Sequence, residues 1–235
     1  MFERIEYRGC IRWGTDEEVQ QRIVRFETKA DNIRSKLEAL VRDDRLVEFC
    51  LYRYGRMLFL YMERIDKTIE PDDLLAELGE LLSPWPEENA DRFWAPMYPV
   101  FWQEEREMEY KGMSMQKALD DWESDRNPDK IKIGRIAFLY PSKMASYVRY
   151  HQELVSEGLL KGDRYQFISL HENILFSVYE EPRNNRNISG AEKESEVIAR
   201  WTAADPESHF DREKGNGANF RVIDPVILVD RKLIT

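Results

Sequence analysis

The sequence predicts an α+β protein made of two tandem copies of a β-α-β-β-α-β unit. Three observations carry this: a long amphipathic helix near the start, a β-hairpin signature once in each half, and short echoes at corresponding places in the two halves. The first strand is expected over Tyr7 to Trp13, an aromatic and β-branched run that ends at Gly14. Thr15 or Asp16 then caps a helix whose first turn carries Glu17 and Glu18, where the helix dipole favours negative charge. Val19, Ile23, Phe26, Ala30, Ile33, Leu37 and Leu40 recur at steps of three and four, the stripe of a helix with one buried face. Leu46 to Tyr52 and Met57 to Ile65 read as a hairpin turning at Arg53-Tyr54-Gly55. Pro71 opens a helix through about Leu82, and Tyr98 to Trp102 is the fourth strand.

Gln103 to about Arg126 is charged and helix-prone, and reads as a connecting helix ended by Asn127-Pro128-Asp129. The second half repeats the order. Ile133 to Tyr140 is a strand, Pro141 or Ser142 starts a helix to about Gly158, and Arg164 to Leu170 with Asn173 to Glu180 forms a hairpin. Ser189 or Gly190 starts a helix through about Ala204, and Phe220 to Val229 is the last strand. Leu58-Phe59 with Glu63 answers Leu175-Phe176 with Glu180, and Pro99-Val100-Phe101 answers Pro225-Val226-Ile227. The expected organisation is a ferredoxin-like unit over residues 1–103, a connection over 104–130 and a second unit over 131–235. Helices on one face leave the other face of each antiparallel sheet bare, so the two sheets are expected to pack as an intramolecular α/β barrel.

At 235 residues, 42% hydrophobic and 12% aromatic, the chain can bury a real core. No apolar run approaches the roughly 18 residues that would span a bilayer, and the N-terminus lacks a signal-peptide pattern, so a cytoplasmic protein away from membranes is expected. The two cysteines, Cys10 and Cys50, read as free thiols of a reducing compartment. A formal net charge of −10 without a basic stripe argues against nucleic acid. The three histidines, His151, His171 and His209, show no metal-ligand spacing, and no phosphate-binding or serine-hydrolase motif occurs, so no metal or cofactor is expected.

The sharpest chemical feature is Tyr147-Val148-Arg149-Tyr150-His151 on a predicted helix. Residues four apart share a face, so Tyr147 and His151 can serve one cavity, with histidine moving a proton near neutrality and tyrosine orienting or donating. The plainer reading makes His151 a satisfied, half-buried histidine and Tyr147 a core residue. Tyr147-x-x-x-His151, Tyr165-Gln166-Phe167-Ile168-Ser169-Leu170, Asn173 to Glu180 and Trp201 together resemble the L-rhamnose mutarotase family of the dimeric α/β-barrel superfamily. That resemblance implies a sugar pocket, with His151 and Tyr147 catalytic, Trp201, Tyr165, Tyr179 and Trp94 as substrate-binding candidates, and general acid/base opening of an aldose ring without a cofactor. In the first half Phe26 and Ala30 stand where tyrosine and histidine would be, which implies one site per chain, as a monomeric pseudo-dimer or a homodimer. Two other functions use the same scaffold: a non-catalytic module binding a small molecule or a partner, and a cofactor-free monooxygenase-like enzyme.

Overall fold

A computed structural model describes residues 2–86, 91–103, 106–108, 112–124, 126–127, 129–158, 161–187 and 194–234. The main elements are β1 (Phe2–Cys10), α1 (Asp16–Arg42), β2 (Leu46–Tyr54), β3 (Met57–Arg64), α2 (Pro71–Leu74), β4 (Tyr98–Trp102), α3 (Met115–Glu123), β5 (Ile131–Phe138), α4 (Met144–Glu157), β6 (Phe167–His171), β7 (Ile174–Glu181), α5 (Glu196–Ala203), β8 (Asp224–Asp230) and α6 (Arg231–Ile234). They form two compact units, one of residues 1–97, 107–115 and 224–235, the other of residues 98–106 and 116–223.

In the first unit the strand order is β8-β2-β3-β1, and the short segments Ala95–Pro96 and Glu107–Met108 pair with the outer edge of β1. Helix α1 begins with a complete capping box, in which the Thr15 hydroxyl accepts from the Glu18 amide and the Glu18 carboxylate accepts from the Thr15 amide. Its buried stripe is Val19, Ile23, Phe26, Ala30, Ile33, Leu37 and Val41. The stripe packs on Phe49 and Leu51 of β2, Leu58, Leu60 and Met62 of β3, and Ile227 and Val229 of β8. Each of the larger side chains contributes roughly 1.5–3 kcal/mol by leaving water. Trp94 belongs to this core and lies over Gly9, where a Cβ would come within 2.9 Å of its ring.

Strand β1 starts five residues earlier than the sequence suggests. Arg4, Glu6 and Arg8 alternate with apolar residues and read as surface, yet all three are buried on the face of the sheet away from α1. The expected helix from Pro71 to Leu82 is a single α-turn, Pro71–Leu74, followed by 3-10 turns over Ala76–Leu81. Across the expected connection, Met115–Glu123 is helical, and the start of that stretch includes positions 104–105 and 109–111, outside the described residues.

The second unit has the order Arg221–Val222, β5, β7, β6, β4. The expected helix start at Ser189 or Gly190 falls outside the described residues; α5 runs from Glu196, with the Ser195 hydroxyl accepting from the Ile198 amide. Each half thus lends its fourth strand to the other half's sheet, and the two exchanges match in detail. The Met97 amide donates to Glu6 O, the Ile223 amide donates to Gly134 O, and the unit boundary falls immediately after each. Beyond them, β4 skips Val100 in its pairing with β6, and β8 skips Val226 in its pairing with β2. The same irregularity thus occurs at the same step of both exchanged strands. Both sheets are open, so neither closes into the expected barrel: each ends at one side on a lent strand and at the other on two-residue segments too short to continue the ladder. Among the described residues no helix is long and apolar enough to cross a membrane.

Gly9→Ala should destabilise the protein by about 1–3 kcal/mol, because the buried Trp94 ring cannot yield without disturbing the core. Thr15→Ala should cost about 1 kcal/mol through loss of the cap. Urea unfolding of both variants beside the wild type measures these values.

Candidate functional site

The candidate site lies in the second unit, between its helices and its sheet. On α4, Tyr147 turns into the core and is 1% exposed, while His151, one turn later, is half-buried. Their rings stack with centroids 3.9 Å apart and planes 20° apart. Trp201 on α5 meets the His151 ring edge-on at 5.2 Å and the Tyr147 ring edge-on at 5.8 Å. His209 closes the cluster against Trp201 at 4.7 Å. The His209 ring reaches Asp205 O through Nδ1 at 3.2 Å and the Ser146 hydroxyl through Nε2 at 2.9 Å, which ties the segment after α5 to the start of α4.

The tautomer of His151 follows from its partner. Its Nδ1 lies 2.8 Å from Tyr147 O, and a carbonyl can only accept, so Nδ1 carries the proton and Nε2 carries the lone pair. Burial pulls the imidazole down to about 4; the bond to Tyr147 O opposes this, and His209 nearby adds to it. His151 is therefore a neutral base at pH 7. It lines a cavity of about 330 Å³ together with Phe101, Leu154, Ile168, Ile198 and Trp201 on the apolar side, and Gln166, Arg183 and Asn185 on the polar side. A cavity of this size with apolar walls and a few convergent polar groups suits a small organic ligand.

The structure brings together only part of the residue set expected from the sequence. His151 and Trp201 line the cavity and Tyr147 supports both from below. Tyr179 lies on the same side of the sheet, 9% exposed, with Arg135 at 4.7 Å and Arg183 at 4.5 Å from its ring. Tyr165 lies elsewhere: it is fully buried, its hydroxyl donates to Trp122 O at 2.8 Å, and Arg126 stands 4.3 Å from its ring. Trp94 is a core residue of the first unit. Phe101, Arg183 and Asn185 went unseen in the sequence. The polar run Arg183-Asn184-Asn185 directly after an apolar strand was the available signal, whereas Phe101 reaches the cavity only through strand exchange.

No family model matches the chain, and no curated protein matches it. Similar solved structures include a provisionally named monooxygenase from Fusobacterium nucleatum, 6% identical, covering 97% of this chain and 94% of that one with a TM-score of 0.37. A provisionally named monooxygenase from Lactobacillus acidophilus is 6% identical and covers 97% of both chains, with a TM-score of 0.38. An anthrone oxidase-like protein is 8% identical over 97% of this chain and 94% of that one, with a TM-score of 0.31. The expected kinship with rhamnose mutarotases is overturned. These neighbours are two provisionally named monooxygenases and an anthrone oxidase-like protein, and with the kinship go the isomerase activity and the place in carbohydrate metabolism. The geometry adds a physical reason, since the Tyr147 hydroxyl that mutarotation would use beside His151 is sealed in the helix–sheet core, where burial pushes it well above its ordinary value.

A histidine held neutral in the folded state makes stability depend on pH. Between its unfolded value near 6.5 and its folded value of about 4, the unfolded chain binds the extra proton, so stability falls as pH falls through that window. Wild type should lose up to about 3 kcal/mol relative to His151→Gln between pH 7 and pH 4, at about 1.4 kcal/mol per unit. Paired urea titrations at the two pH values check this, and contributions from other groups cancel in the difference.

Proposed function

We propose that this chain is a cofactor-free enzyme that binds a flat organic molecule in the His151 cavity and starts its reaction by taking an acidic proton from it. The observation that supports this reading is the fixed tautomer of His151, whose Nε2 lone pair belongs to a residue lining the cavity. Trp201 and Phe101 supply walls for a ring, and Gln166 and Asn185 supply amides for its oxygen atoms. Tyr147 is a positioning residue, because its carbonyl fixes the tautomer and its ring holds the imidazole plane.

A base that burial holds below its ordinary value is weak, so this reading favours an acidified substrate proton, such as a C–H between two carbonyl groups. Removing such a proton leaves an electron-rich anion, the species that reacts with oxygen in cofactor-free oxygenation. This favours the monooxygenase-like alternative over a purely non-catalytic binding module.

The test is deuterium exchange into 1,3-indanedione, a flat carbon acid, followed by proton NMR in D₂O. Wild type should accelerate loss of the C–H signal, and His151→Gln should reduce the acceleration by about 100-fold or more. Equal exchange with wild type, variant and buffer would remove the proton-abstraction reading and leave a binding module.

A further inference from the structure

Arg135 on β5 is an unusual group to find on the helix side of a sheet. It packs against the Tyr179 ring at 4.7 Å and the Phe220 ring at 4.3 Å, and its Nε donates to the Ser177 hydroxyl at 3.4 Å. Among the described residues no carboxylate lies within ion-pair distance of it. Arg183 stands over the same Tyr179 ring at 4.5 Å and lines the His151 cavity. Among the described residues it pairs with Glu181 at 3.3 Å, and both side chains are more than two-fifths exposed, so the pair is weak and readily exchanged for another anion. Two guanidinium groups thus meet one phenol ring, of which Arg183 lines the cavity and Arg135 stands behind it, and each raises the cost of the other. Aromatic faces offset part of that cost, but a ring quadrupole does not neutralise a full charge.

We propose that Arg135 and Arg183 form an anion subsite beside the His151 cavity, and that the ligand carries a carboxylate on the flat ring that the cavity takes. The inference rests on the reading of that cavity as a ligand site. Guanidinium forks match a carboxylate's two oxygens, and partial burial strengthens the attraction over its value in water. A carboxylate bound there leaves the ring to extend along the cavity toward Trp201 and the His151 Nε2. The substrate class is therefore an aromatic or enolic acid rather than a neutral polyol, whose hydroxyls would leave Arg135 without a counter-charge and Arg183 with only its exposed pair to Glu181.

The experiment uses the full chain and two probes of one shape, benzoate and benzyl alcohol, each titrated while the His151 imidazole and Trp201 indole resonances are followed by NMR. Benzoate should shift both resonances and bind about tenfold or more tightly than benzyl alcohol. Arg183→Met, at an exposed position that folding tolerates, should abolish that preference, and Arg135→Met should do the same if it folds. Equal affinity of the two probes at these resonances, or a preference that survives Arg183→Met, overturns the anion subsite and leaves the His151 pocket standing. If neither probe shifts the two resonances, the pocket reading and the subsite fall together.

Discussion

The first unit cannot be completed without the last strand of the chain. Strand β8 pairs with β2 across some 170 positions of sequence, from Asp224 opposite Arg53 to Asp230 opposite Glu48. Ile227 and Val229 on that strand fill the core under α1, and Arg34 on α1 donates to Leu228 O at 2.9 Å. Strand β4 does the corresponding work for the second unit, where it carries Phe101 into the cavity. Pairing of such long range commits the chain to a high contact order, with the loop-closure entropy met before the contacts that reward it. The edge of β2 stays open until β8 has been synthesised, which makes it a vulnerable edge of the nascent protein.

The buried charges obey a related constraint. In the first unit Arg4 donates to the Tyr61 hydroxyl at 3.0 Å, and Tyr61 donates to Glu63 at 2.6 Å. In the second unit Glu180 receives Lys132 at 3.0 Å, with Lys130 and Arg126 each at 3.3 Å. Those three cations hold its carboxyl down to about 2 in spite of burial. Removing one partner of such a cluster costs more than the cluster contributes, so these groups constrain the arrangement more than they stabilise it. The first cluster lies on the sheet face away from α1, whereas the second meets α3 through Arg126 and Glu123.

Much of the architecture is legible in the sequence because it is local. The α1 stripe, its cap and the turn at Gly55 (φ 58°) follow from periodicity and turn chemistry, except that the stripe ends on Val41 where Leu40 was expected. The N-terminal half of β1 was hidden because Arg4, Glu6 and Arg8 imitate a solvent-facing pattern. The strand exchange was hidden for a different reason. A strand's own residues say that it will pair, and its partner is chosen by the whole chain. For the site, spacing put Tyr147 and His151 on one helix face, but four residues leave a rotation of about 40°, enough for one to enter the core and the other to border a cavity. Arg135 and Arg183 meet at Tyr179 only through sheet pairing and the turn after β7, which no linear motif records.

The repeated bulges at Val100 and Val226 have one more implication, for symmetry. In an assembly of identical chains every substitution appears twice, so a change that suits one copy is imposed on the other. Fusion into a single chain lifts that rule. One half can keep a histidine at position 151 while its counterpart keeps Ala30, fully buried on the inner face of α1. The stoichiometry that the proposed site implies is one ligand to two folded repeats, with the first repeat free to diverge as scaffold.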